Sequence, residues 1–342
     1  MDASTATFKG LNLLAKTFLW IGMPATTAYI ARNSPSTASL LPVILLPTLW
    51  SAYKRRSLPI EHRAKLQGLA YIFWTVGTIG VFTIIVVQSL GSYYLARLLF
   101  GSQTVANAYM REFVVTTIHG MAVEDVSRRA QMAQRWEYFA LLASFTYILA
   151  GGLEELLKYA PILYMRRKVP TSTPKLVRAK LYIQYALAAA LGFSTLENVG
   201  FTMSALKSGE GALRAAVTVT ERIMLSAPGH MLCAAMLAIN AAQEETPTRG
   251  PRSLWGTIGT SVLYHGTFDF LLFAISAWNG NVGWIHPTDA TSIIAGLTVV
   301  VGLQGALAMQ VWRGWQALQT EKNGKPAGGV DDSLGVVADG RS

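Results

Sequence analysis

GGLEELLKYAP, residues 151–161, lies inside an otherwise apolar run from 138 to 165 and puts Glu154, Glu155 and Lys158 where a buried or lipid-facing helix is expected. How these charges are read depends on the solvent around the chain. Of its 342 residues 51% are hydrophobic and 14% charged, against about 25% charged in soluble domains. Mean hydropathy is +0.34. The 19 acidic and 29 basic residues cluster in a few segments between long apolar runs, so they cannot clothe one or two soluble domains. The apolar content excludes intrinsic disorder. The single cysteine, Cys233, excludes a disulfide framework and a Cys-rich zinc site.

A membrane-spanning helix needs about 20 mainly apolar residues. Outward from 138–165, the candidate spans are 11–31, 38–53, 67–90, 138–165, 181–204, 217–241, 253–277 and 291–312. The second is short and carries Pro42 and Pro47, which suits a tilted or re-entrant helix. The first contains Lys16 without a clear cleavage site and reads as a retained anchor. The sequence thus predicts an all-α, polytopic membrane protein of about eight transmembrane helices. Residues 1–100 form anchoring helices, 101–137 an amphipathic non-cytosolic segment, 138–277 a four-helix core, 278–315 a last span, and 316–342 a disordered tail. Eighteen Lys and Arg fall on the side of loops 54–66 and 166–180, and nine on the other. That asymmetry puts both termini in the cytosol, at a plasma or an internal membrane. It also accounts for the net charge of +10 without a nucleic-acid partner.

The informative residues are polar groups at hydrocarbon depth: Glu154, Glu155 and Lys158, then Glu197 and Asn198, then His230 with Arg222 toward the outer end, then His265 and Asp269. A charge at the bilayer centre costs at least about 2.5–3.5 kcal/mol, so function is the default reading. Counted at 1.5 Å per residue, Glu154, His230 and His265 lie about 17–18 Å deep and Glu197 about 24 Å. Four helices therefore carry polar groups in one layer. Glu154 and Lys158 share a helix face, as do His265 and Asp269. Glu155 points about 100° away from Glu154, so both reach one spot only with a local distortion that Gly151 and Gly152 permit. Ala186, Ala190, Gly192, Gly200, Gly229 and Gly266 are small enough for close helix approach.

Carboxylates, two imidazoles and an amide in a low-dielectric site are the inventory for activating water. Glutamate serves as general base, and histidines bind a metal or donate to an oxyanion. Asn198 is a further candidate oxyanion donor. His230 and His265 with a carboxylate, taken as Glu197, match the ligand chemistry of hydrolytic zinc. No HExxH pair occurs, so a metal site requires tertiary convergence. Asp269 stands too far along its helix to be assigned as the orienting partner of His265.

Four ordered blocks carry a family resemblance: EE-x-x-K at Glu154–Lys158, F-x-x-x-E-N at Phe193–Asn198, Arg222 followed by P-G-H ending at His230, and H-x-x-x-D at His265–Asp269. Over about residues 140–275 the chain resembles the PrsW-type intramembrane proteases and, distantly, the CAAX prenyl endopeptidases. The resemblance implies cleavage of peptide bonds in or near the bilayer, with the family's glutamate pair at Glu154 and Glu155 and its histidines at His230 and His265. On the residues themselves, Glu154 activates the water with His230 and His265, Glu155 and Glu197 join the catalytic set, and Lys158, Asn198, Arg222 and Asp269 are supporting. The substrate would be a membrane protein or membrane-proximal peptide. In the CAAX relatives the second block ends in His where this chain has Glu197, so their mechanism does not transfer unchanged. The resemblance leaves open a metal-bound or a glutamate-activated water.

Plainer readings compete. Glu154 and Lys158 are also an i,i+4 pair that eases insertion, Glu155 a partner for Arg166, Arg167 or Arg222, and Glu197 with Asn198 packing glue. Arg222 reads as an anchor or a partner of Glu221 or a motif carboxylate. His62, His119 and His286 read as unremarkable loop residues. Seven tryptophans, among them Trp20, Trp50, Trp136, Trp278 and Trp312, mark span ends. A proton- or ion-coupled transporter also places Glu, His and Asp at the midplane, although no two-half symmetry is visible, and a silent scaffold for membrane clients is a third reading.

Overall fold

A computed structural model describes residues 13–170, 172–208, 211–245 and 253–323, and all regular structure among them is helical. We number the helices α1 (13–33), α2 (Pro35–Arg55), α3 (66–100), α4 (Gln103–Phe113), α5 (Val123–Ala133), α6 (Trp136–Lys168), α7 (Lys175–Lys207), α8 (Gly211–Glu244), α9 (Leu254–Trp278) and α10 (Ala290–Asn323). Six stretches are long and apolar enough to cross a bilayer, containing α2, α3, α6, α8, α9 and most of α10. The chain is an all-α, polytopic membrane protein. The first and fifth expected spans are helical as α1 and α7 but fall outside those six.

For α7 the reason is its position. Tyr182, Tyr185, Ala186, Ala189, Ala190 and Phe193 anchor the largest hydrophobic cluster, which also takes in α3, α6, α8 and α9. A helix wrapped by protein can carry Gln184, Glu197 and Asn198 without exposing them to lipid. Glycines set how closely its neighbours approach. A Cβ on Gly192 would stand 2.1 Å from the carbonyl oxygen of Phe73 on α3, and one on Gly266 of α9 would stand 2.5 Å from the Tyr147 ring on α6. Gly200 and Gly229, expected in the same role, meet nothing within 4 Å and only Gln304 at 3.4 Å respectively.

Outward-facing apolar residues such as Phe82, Ile85, Leu90, Ile294 and Val301 are exposed, as a lipid-facing surface requires. Trp20, Trp50, Trp136, Trp278 and Trp312 are exposed as well. The second span is helical with a break at Leu45, between the pieces Pro35–Ile44 and Leu46–Arg55. Segment 101–137 forms α4 and α5, tied by Arg129, which pairs with Glu112 and donates to the Val282 carbonyl at 2.7 Å. The tail was expected to start at 316, but α10 continues to Asn323. The remainder of that tail, 324–342, lies outside the described residues.

Four π-helical turns interrupt the spans: Phe18–Gly22, Val76–Gly80, Phe145–Gly152 and Arg222–Ser226. The third ends just before Glu154 and the fourth a turn before His230. Such turns occur frequently at functional sites because they re-aim the residues that follow. Phe145–Gly152 is the distortion that Gly151 and Gly152 allow ahead of the paired glutamates.

Candidate active site

The polar residues of α6, α7, α8 and α9 meet in one buried cluster. Lys158 is its hub and is wholly buried. Its ammonium donates to Glu155 Oε1 at 2.6 Å, lies 2.9 Å from His230 Nδ1 and 4.0 Å from Glu154 Oε2. The shorter ion pair is therefore with Glu155, and not with the i,i+4 residue Glu154. The Phe193 ring closes that side, 5.6 Å from the ammonium.

The two glutamates do not converge on one atom; they bracket an imidazole. His265 Nδ1 donates to Glu155 Oε1 at 2.8 Å, while His265 Nε2 lies 3.5 Å from Glu154 Oε2. Asp269 Oδ2 is 3.4 Å from the same Nε2. Asp269 thus reaches the histidine one turn before it, correcting the expectation that it lies too far along the helix. Glu155 pairs with Lys158 and His265, and with none of Arg166, Arg167 or Arg222.

On the other flank, His230 Nε2 lies 3.2 Å from Glu197 Oε2. Glu197 is also ion-paired with Arg222, whose Nε donates to Asn198 Oδ1 at 2.9 Å and whose guanidinium lies 4.2 Å from the Phe201 ring centre. Arg222 is therefore committed to the motif carboxylate, and Asn198 turns its acceptor to Arg222. The two histidine rings stand edge to face, 5.3 Å apart.

Two acceptors are left open in the middle. Glu154 Oε2 is buried with no hydrogen-bond partner, as is Glu155 Oε2. One ligand atom each from Glu154, His230 and His265 fall within 4.8 Å of one another. Glu197, expected as the carboxylate of a metal site, is not in that group. Two imidazoles, one orphaned carboxylate oxygen and a second carboxylate on the far nitrogen of His265 fit a cation that takes His and carboxylate ligands. His230 adds a condition. With the Lys158 ammonium donating to Nδ1, Nε2 keeps the ring proton, so a cation at Nε2 would have to displace that proton. Binding is thereby coupled to proton release.

Two features escaped the sequence reading. Gln88 on α3 donates to Glu154 Oε1 at 3.3 Å. Its signal was a neutral polar residue near the end of the third expected span, passed over beside charged ones. At the other end of the core, Arg166 pairs with Glu244 and Glu245, Arg178 with Glu245, and Tyr182 donates to Glu245 at 2.8 Å. That clasp joins α6 and α7 to the end of α8. His286 is also not idle: its Nε2 lies 2.7 Å from Glu221 Oε1 and its Nδ1 2.9 Å from the Pro287 carbonyl.

Buried carboxylates and imidazoles converging inside a helical membrane protein suit an intramembrane hydrolase or an ion-coupled transporter. A family model described as PrsW family intramembrane metalloprotease matches residues 66–303. The chain belongs to that family and is an intramembrane protease. The match is wider than the resemblance over 140–275, taking in α3, with Gln88, and the start of α10. No curated protein and no solved structure matches the chain.

Proposed function

We propose that this protein cleaves peptide bonds of membrane-embedded or membrane-proximal substrates at a centre formed by Glu154, His230 and His265, with zinc as the metal held by these three. The observation that carries the reading is buried Glu154, whose Oε2 has no hydrogen-bond partner and which has a carboxylate oxygen within 4.8 Å of a ligand nitrogen from each histidine. Zinc, when bound, supplies Lewis acidity and brings a water's pKa to about 7. The surrounding residues do the rest. Glu155 takes the Nδ1 proton of His265 as a hydrogen bond and fixes that ring's tautomer and direction. Lys158 neutralises Glu155, so the layer beneath the centre carries no uncompensated charge.

Glu197 is held through Oε2 by Arg222, with His230 facing the same oxygen, so we assign it to positioning rather than to proton transfer. Asp269 has its Oδ2 3.4 Å from His265 Nε2 and is paired with no arginine or lysine among the described residues. It is the carboxylate placed to take a proton from the attacking water and return it to the leaving amine. Glu154 thereby acts as a ligand rather than as the base. Family membership favours this hydrolytic reading over a transporter with the same polar layer.

The test uses full-length protein in proteoliposomes with a tagged transmembrane peptide. Glu154→Gln, His230→Ala and His265→Ala should each lose both bound zinc and at least about a hundredfold of cleavage, while Asp269→Asn should lose turnover and keep the metal. Normal cleavage by any of the first three variants refutes the centre. Retained turnover in Asp269→Asn refutes only the base assignment. Zinc binding without cleavage by wild type points to a silent member.

A further inference from the structure

Gln88 is neutral, half-buried and far in sequence from every motif, yet it touches the centre. Its side-chain nitrogen lies 3.3 Å from Glu154 Oε1 and 3.1 Å from the carbonyl oxygen of Leu149. A primary amide nitrogen carries two hydrogens, so one atom serves both acceptors. The Leu149 carbonyl belongs to the π-helical turn Phe145–Gly152, and in a bilayer such backbone groups need partners from neighbouring helices. The approach is built in by a second residue. A Cβ on Gly91, one turn along α3, would stand 2.8 Å from the Leu149 side chain, so glycine there lets the two helices close at the level of Gln88.

From this geometry we infer that Gln88 is a positioning residue for the metal site: by holding Glu154 Oε1 and the π-turn together, it aims Glu154 Oε2 at His230 and His265. The inference rests on the reading of Glu154 as a ligand. A carboxylate held at one oxygen presents the other in a fixed direction, whereas a free one turns through a broad χ3 range. Partners that orient a ligand typically contribute 10–100-fold to metal affinity.

The experiment measures zinc affinity of the full-length protein in detergent by competition with a chelating indicator, and peptide cleavage at limiting and saturating zinc. Gln88→Met keeps length and bulk without donors. Gln88→Leu, also uncharged and without a donor, covers the case in which the first variant fails to fold. Thr83→Val is the control, because Thr83 is exposed on the same helix and bonds only to the Ile79 carbonyl at 2.8 Å. Both Gln88 variants should bind zinc about 10–100-fold more weakly, lose turnover at limiting zinc with KM unchanged, and recover it at saturating zinc. A merely structural loss would not be rescued by the ion. Zinc affinity within twofold of wild type in either folded Gln88 variant, alongside a large loss in Glu154→Gln, overturns the inference and leaves the centre standing. If Glu154→Gln itself binds zinc normally, the ligand reading fails and this inference fails with it.

Discussion

Replacing Lys158 by methionine tests the electrostatic logic of the core most severely. Methionine fills similar space and removes one positive charge. In the native protein that charge sits 2.6 Å from Glu155 Oε1, and both side chains are inaccessible to solvent. It is also 4.0 Å from Glu154 Oε2, where two unit charges attract by about 4 kcal/mol at an effective dielectric of about 20. After the substitution Glu155 keeps only His265 as a partner, and His230 loses the donor at its Nδ1. Breaking a buried ion pair from one side costs about 3–5 kcal/mol, because a charge is left without compensation. Glu155→Gln alone should cost a similar amount by stranding the ammonium. The double variant removes both charges, so its cost should fall short of the sum by at least about 2 kcal/mol, within the range of couplings seen for residues in contact. Equilibrium unfolding in mixed detergent micelles measures all four proteins of the cycle. A single-variant cost below about 1 kcal/mol would mean that Lys158 is not the charge on which the centre depends, and simple additivity would mean that the two residues do not act as a pair.

Two further outcomes follow from the packing and from the loop before α10. Gly192→Ala drives a methyl to 2.1 Å from the Phe73 carbonyl oxygen, so α3 and α7 must part, at about 1–3 kcal/mol. Gly200→Ala, with nothing within 4 Å in the same helix, should leave stability unchanged or raise it by up to about 1 kcal/mol. Equal unfolding midpoints for the two would refute the close-approach argument. At the start of α10, the Asp289 carboxylate accepts the Ser292 backbone N–H at 2.8 Å, and this bond, with the Ser292 hydroxyl, holds its pKa below the usual range. A lowered folded value means that the cap stabilises above the ordinary carboxylate pKa and is lost as pH falls through the folded one. Asp289→Asn keeps an acceptor but not the charge, so the gap between wild-type and variant midpoints should close on acidification; a gap that does not change with pH counts against the cap.

How much of this was legible beforehand follows from what a helical period encodes. Spacing tells which residues share a face, and rise per residue tells their depth. Those two coordinates sufficed to bring Glu154, Glu197, His230 and His265 into one layer, and the cost of burying charge picked them out. Neither coordinate contains the rotation of one helix against another. Rotation is set by contacts remote from the motifs, such as Gly192 on Phe73 and Gly266 on Tyr147. It decides that Glu154 rather than Glu197 joins the histidines, and that Asp269 reaches back to His265. The π-turn before Glu154 added a further offset that a strict 3.6-residue period cannot carry. Selecting residues by the cost of burial also has a built-in blind spot. It finds the groups that are expensive to place in a membrane, whereas the groups that orient them work equally well as inexpensive neutral amides. Gln88 was visible in the sequence as one polar residue in an apolar span, and only the approach of α3 to α6 through Gly91 distinguishes it from an incidental glutamine.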